Sequence, residues 1–238
     1  MTDTKSLAGQ LILVTGASRG IGRAVAEEVG RRGAHVILTA RSAEALEEVE
    51  EVIHAAGGSA TIAPLDLTEN ESVSKLANAV ASRWDALDGL VLNAAMLGSL
   101  APVPSLDAKE LARVFTLNVL AQQALIAAFD PMLRRSRQGK LIAITSRVGS
   151  EPTAYWGGYG ASKAALENLV RTYADEVENV SPVRCAIVDP GATRTQMRAK
   201  AYPGENPQML KDANVVGTII AEMLASELIA TTTLHVPN

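Results

Sequence analysis

The chain has 238 residues, 47% of them hydrophobic but only 3% aromatic, so its core must be built from Ala, Val, Leu and Ile. A net charge of −4 gives no reason to expect nucleic acid or an anionic membrane as partner, so an anionic ligand must be held by local donors. The single cysteine, Cys185, excludes an intramolecular disulfide and a cysteine-based metal site; in the apolar run VRCAIV it reads as a buried, inert thiol. The first residues, MTDTKSLAGQ, have no apolar signal-peptide core, and no apolar run approaches the roughly 20 residues of a membrane span. A cytoplasmic protein without a metal site is expected.

In chain order, the first strand is LILVTG (11–16), followed by the glycine-rich turn TGASRGIGRAVAEEV opening a helix. Gly16 allows a tight turn, while Gly20 and Gly22 let backbone N–H groups and a helix N-terminus approach a pyrophosphate; Ser18, Arg19 and Ile21 share that loop. The second strand, HVILTA (35–40), ends in Thr39-Ala40-Arg41, without the carboxylate that commonly grips an NAD ribose. Arg41 and Arg19 would instead suit a 2′-phosphate, so NADP(H) is the expected cofactor and NAD(H) the alternative. A helix over 42–56 starts at the N-cap Ser42 and stops at Gly57-Gly58. A third strand, ATIAPLD (60–66), and a helix over 71–84 follow.

The fourth strand, GLVLNA (89–94), precedes a helix over 107–129. The fifth, KLIAITS (140–146), ends at Ser146, and a helix over 160–179 follows. The sixth, PVRCAIVDP (182–190), leads into an irregular stretch, 191–211, read as a mobile substrate lid. A helix over 212–226 and a short strand TTTLHV (231–236) close the chain. Most strands are apolar throughout rather than alternating, as in a parallel sheet covered on both faces. The expected fold is α/β: one domain, a doubly wound, Rossmann-like parallel sheet of about seven strands with helices on both faces.

One stretch carries the chemistry: ITSRVGSEPTAYWGGYGASKAAL, Ile144 to Leu166. Tyr159 and Lys163 are i and i+4, so a helix puts them on one face. A free tyrosine titrates near 10 and is a poor base at neutral pH. A neighbouring ammonium is expected to stabilise its phenolate and lower that value. Tyr155 has no such partner, so Lys163 selects Tyr159. Ser146, at a strand end, can hydrogen-bond a substrate carbonyl. Arg147 either faces solvent or meets an anionic substrate. Met96, Leu97, Tyr155, Trp156, Met197 and Tyr202 are candidates for the pocket wall.

The T-G-x-x-x-G-x-G loop, with Asn93-Ala94-Ala95 after the fourth strand and Pro190-Gly191 after the sixth, resembles the short-chain dehydrogenase/reductase family. Within it the chain looks most like bacterial members labelled oxoacyl-carrier-protein-reductase-like. The resemblance implies an oxidoreductase transferring a hydride between NADP(H) and a carbonyl or secondary alcohol. It implies Tyr159 as general acid/base and Ser146, thirteen residues earlier, as its partner on the substrate oxygen. Lys163 would also hold the nicotinamide ribose, and Asn118, in TLNV, would support a proton relay through water. Asp66, with Leu67 beside it, is implied as an adenine contact; Thr193 and Thr195 are implied as carboxamide contacts, Thr195 the better match. Ala95 stands where the family has a glycine. The family commonly pairs through the helices 107–129 and 160–179, so a homodimer or homotetramer is expected. A non-catalytic dinucleotide sensor on this fold predicts gaps in the set Asn118, Ser146, Tyr159 and Lys163, and there are none. An epimerase or dehydratase of the extended branch predicts a longer chain.

Overall fold

β-Branched residues fit extended, half-crowded backbone, and the apolar runs rich in them form the strands of this chain. The computed structural model describes residues 6–69, 71–228 and 232–237. The strands are β1 (Leu11–Thr15), β2 (His35–Ala40), β3 (Ser59–Pro64), β4 (Gly89–Leu92), β5 (Lys140–Ile144), β6 (Arg184–Asp189) and β7 (Thr232–His235). They form one parallel sheet in the order β3-β2-β1-β4-β5-β6-β7. Several strands stop one or two residues before the expected end, because the last residues turn into the loops that carry the site. Thr231, expected to start the last strand, lies outside the described residues.

Alternate strand residues enter opposite layers. Leu11 and Leu13 of β1 pack with α3 (Ser72–Ala81), α5 (Ala121–Arg135) and α7 (Gly157–Glu178). Ile12 and Val14 pack with α1 (Gly20–Arg31), α2 (Ala43–Ala55) and α9 (Ala213–Ala225). Each fully buried Leu, Ile or Val contributes about 1.5–3 kcal/mol of transfer free energy, and that term holds the helices on both faces. Cys185 lies in this core, where burial pushes its thiol up to about 12, in keeping with an inert side chain.

Helix α2 is capped as expected: Ser42 Oγ accepts from Ala45 N at 3.3 Å. Three helices depart from the expected limits; the one read over 71–84 already ends at Ala81. The one read over 107–129 runs on to Arg135, as α4 (Ala108–Phe115), a π-turn (Thr116–Leu120) and α5. It passes through Pro131 because Met132 and Leu133 still belong to the core. This 28-residue stretch is long and apolar enough to cross a membrane by length and composition, against the expectation from the sequence. In the fold its inward side, with Leu125, Phe129 and Met132, packs on the sheet. The helix read from 160 starts at Gly157, so Tyr159 already lies in its first turn. The irregular stretch 191–211 contains α8 (Gln196–Ala201) and a 3-10 turn (Pro207–Met209), and its ends are joined by a bridge between Thr193 and Lys211.

Candidate active site

Strand order reverses between β1 and β4, and ligands of open α/β sheets bind at the carboxyl ends beside such a reversal. Gly16, Arg41, Asp66, Asn93, Ser146 and Pro190 each directly or closely follow the carboxyl end of β1 to β6 in turn. The glycine loop is folded tightly against β4. Asn93 Nδ2 donates to the carbonyl oxygens of Thr15 (2.8 Å) and Gly16 (3.2 Å), and Asn93 N and Ala94 N donate to Thr15 Oγ1. Gly16 has φ +66°, and a Cβ there would stand 2.9 Å from Asn93 Nδ2; a Cβ on Gly22 would stand 2.3 Å from Gly16 O. Only glycine fits either place. Ala95 is not among the described residues with positive φ, so alanine stands there without backbone strain.

Arg19 is the N-cap residue of α1, which has no capping side chain and no acidic residue in its first turn. Ala17 N donates to Thr39 O at 3.1 Å, which lays this loop along the end of β2, two residues before Arg41. Arg19 and Arg41 are exposed and form no ion pair among the described residues. Asp66 Oδ1 accepts from Thr68 Oγ1 (2.7 Å) and Thr68 N (2.9 Å); these bonds hold its carboxyl below the usual range, and Arg41 adds to that. Leu67 beside it is buried.

At the other end, Asn118, Tyr159 and Lys163 are brought together. Asn118 lies on the π-turn, fully buried, where its Oδ1 accepts from Met96 N (2.8 Å) and its Nδ2 donates to Met96 O (2.9 Å) and Ser162 Oγ (3.0 Å). π-Turns commonly mark functional positions in helices. Ser162 Oγ in turn donates to Tyr159 O at 2.7 Å. Lys163, 2% exposed, donates from Nζ to Ile144 O at 2.8 Å and stands 5.7 Å from the Tyr159 ring centroid. Ser146 is the N-cap residue of the short helix α6 (Arg147–Ser150), and its hydroxyl has no partner among the described residues. Helix α6 lies on the start of α7: a Cβ on Gly160 would stand 2.7 Å from Val148 O.

The expected lowering of Tyr159 by Lys163 does not occur in this arrangement. Burial pushes the Tyr159 phenol well above its ordinary value, and the Asp189 carboxylate adds to this. Burial also draws Lys163 down, to about 8, with Glu167 opposing. The leading cause in both is desolvation, which disfavours the charged form of each group.

The pocket candidates divide. Trp156 packs against Tyr159 (ring centroids 6.0 Å) and Tyr202 (5.6 Å). Arg198 stacks on Tyr202 at 3.8 Å and forms a two-bond pair with Glu205, 2.6 Å each. Met197 is half-buried on α8 and Leu97 is buried against the α4 side of Tyr159. Tyr155 instead is 59% exposed with φ +71°, its carbonyl accepting from Ala101 N at 3.1 Å. Arg147 is exposed and pairs with Glu151 at 2.6 Å rather than facing Tyr159. Thr193 is buried, its Oγ1 donating to Pro190 O (3.0 Å). Thr195 Oγ1 accepts from Arg198 N (3.1 Å) as the N-cap of α8, which leaves its hydroxyl proton free to donate. Gly191, at φ +62°, donates its N–H to Asp189 Oδ1.

Three polar groups of this region escaped the sequence reading. Ser162 links Asn118 to Tyr159; Asp189 bears on Tyr159 from β6 and meets His235 Nδ1 at 2.6 Å; Glu167 receives the Thr145 hydroxyl. Glu167 had a legible signal, its i+4 spacing from Lys163. Asp189–His235 had none, being a contact between strands 46 residues apart. Among the described residues no cluster of His, Cys, Asp and Glu could hold a metal ion.

A family model for the short chain dehydrogenases matches residues 10–206. The protein named Uncharacterized oxidoreductase YciK, from Escherichia coli strain K12, is 40% identical over 205 residues, covering 85% of this chain and 81% of that protein. A solved short chain dehydrogenase from Shigella flexneri 2a, complexed with NADP, superposes with TM-score 0.93 at 35% identity, covering 98% of each chain. Another, from Escherichia coli CFT073 and complexed with NADPH, gives 0.93 at 36% identity, again with 98% of each covered. The chain therefore belongs to the short-chain dehydrogenase family, and is an oxidoreductase of that family.

Proposed function

We propose that this oxidoreductase uses NADP(H) to reduce a mostly apolar carbonyl compound to a secondary alcohol, with Tyr159 as the proton donor. The observation that carries the reading is the buried Tyr159–Lys163 pair, one helical turn apart and fastened through Ser162 to Asn118. The uncapped, acid-free start of α1 and the exposed Arg19 and Arg41, which form no ion pair among the described residues, suit a dinucleotide bearing a 2′-phosphate. The NADP and NADPH of the two solved relatives support the same choice. The pyrophosphate would rest on Gly16 to Gly22, the adenosine near Asp66, Leu67 and Asn93 to Ala95, and the nicotinamide near Lys163, Pro190, Gly191, Thr193 and Thr195.

When bound, NADPH supplies the hydride for the carbonyl carbon. Ser146 Oγ donates a hydrogen bond to the carbonyl oxygen and orients it. Tyr159 Oη gives that oxygen its proton. Burial favours the phenol form of Tyr159, the form that can give a proton. Lys163 would hold the nicotinamide ribose, and Asn118 holds the loop at Met96 and the helix at Ser162 in register around the pair. Residues 191–211 act as the substrate lid, with Trp156 and Tyr202 forming an apolar wall. Two copies pair through the Ala108–Arg135 helix and α7, where Leu120 is 62% exposed. The test is a panel of aldehydes, ketones and secondary alcohols followed by cofactor absorbance. Turnover of ketones with NADPH is expected; a panel with no turnover in either direction contradicts the reading.

A further inference from the structure

Helix α7 places a second charge on the face that holds Lys163. Glu167 is one turn further on, its side chain only 12% exposed. One of its carboxylate oxygens accepts from the Thr145 hydroxyl, and the other meets Arg171 at 3.4 Å. Thr145 is buried, directly precedes Ser146, and donates its N–H to Val188 O at 2.8 Å. Helix α6 closes over the same place: a Cβ on Gly149 would stand 3.0 Å from Glu167 Oε1 and 3.1 Å from Lys163 Cβ. The carboxylate is therefore fastened to Thr145, beside Ser146 at the strand end and one residue beyond Ile144, whose carbonyl accepts from Lys163 Nζ. A buried carboxylate is costly to keep unless paired and hydrogen-bonded, and the exposed Arg171 gives it only a long, solvent-screened contact.

We propose that Glu167 is a positioning residue of the catalytic unit: it pins the Thr145–Ser146 end of β5 to α7 and supplies the anion that balances the Lys163 ammonium. The proposal rests on the assignment of Tyr159, Lys163 and Ser146 above. Among the described residues, the charged and titratable groups around Lys163 are few. Tyr159 and Glu167 flank it on α7, Asp189, paired with His235, bears on Tyr159 from β6, Arg171 reaches Glu167 from solvent, and Arg147 of α6 is engaged with Glu151. Burial alone draws Lys163 down, and Glu167 is the group that opposes it.

The test is a pH titration of the protein labelled with ¹³C at lysine Cε, the Lys163 signal being assigned by its loss in Lys163→Arg. Glu167→Gln keeps an acceptor for Thr145 but removes the charge. Its Lys163 midpoint is expected to fall by roughly one pH unit from the wild-type value, with the alkaline limb of NADPH-dependent turnover moving to lower pH alongside. Thr145→Val does the reverse, lowering turnover while leaving the midpoint in place. If Glu167→Gln does not fold, Glu167→Asp, which withdraws the anion by one methylene, is read by the same criterion with a smaller fall. A Lys163 midpoint unchanged from wild type overturns the proposal. The titration needs neither substrate nor cofactor, so absence of carbonyl reduction would count against the proposed function and leave the role of Glu167 decided separately.

Discussion

At the scale of single residues, the two ends of the site depend on different physics. The proposed cofactor end is built from backbone shape and exposed cations, while the Tyr159 end is built from burial. Arg41 is exposed and forms no ion pair among the described residues, which leaves it available to meet an anion. Arg41→Ala is expected to weaken NADPH binding roughly 10- to 100-fold, the worth of one charged hydrogen-bonded contact, with little change for NADH. Equilibrium titration with both cofactors checks this, and equal losses would contradict it. Tyr159 and Lys163 were legible because i, i+4 spacing is a property of the sequence itself. Their proton affinities were not legible, because these depend on how much water the surrounding helices exclude. Arg147 differs: its partner Glu151, four residues on, stood at a legible spacing and takes it up once α6 forms.

At the scale of elements, repeated apolar runs and amphipathic segments made the β-α alternation plain, and Ser42 and Gly57 marked one helix at both ends. The π-turn at Thr116–Leu120 left no such mark, since one extra residue in a helical turn changes neither composition nor period appreciably. Helix α6 is four residues long, too short for any periodicity. The stretch 191–211 was read as an irregular, mobile lid; it holds α8 and a 3-10 turn instead, and its attachment was invisible in the sequence. Trp156 touches both Tyr159 and Tyr202, and Tyr202 is held by Arg198, itself paired with Glu205. Tyr202→Ala is expected to loosen this stretch and raise KM several-fold, in line with a lost aromatic contact of about 0.5–1.5 kcal/mol, while NADPH affinity stays unchanged. Steady-state kinetics beside cofactor titration separates the two effects; an unchanged KM would remove Tyr202 from the substrate wall.

At the scale of the whole molecule, one sheet brings residues from position 16 to position 195 to a single edge, and its two apolar layers hold that edge in shape. Phe129 is fully buried beneath the Ala108–Arg135 helix. Phe129→Ala is expected to cost about 3–5 kcal/mol, read from denaturant unfolding, because the cavity it leaves is lined by residues from several elements. A loss under about 1 kcal/mol would mean the helix is not anchored there. The central claim joins fold to chemistry: this sheet edge holds NADPH at one end and a tyrosine that gives a proton at the other. It is tested most directly by measuring carbonyl-dependent NADPH oxidation and NADPH affinity together in the wild type, in Tyr159→Phe and in the control Tyr155→Phe. Tyr159→Phe is expected to lose on the order of 10²–10⁴-fold in turnover with NADPH affinity nearly unchanged, and Tyr155→Phe to keep most of its rate. Turnover retained in Tyr159→Phe would contradict the account.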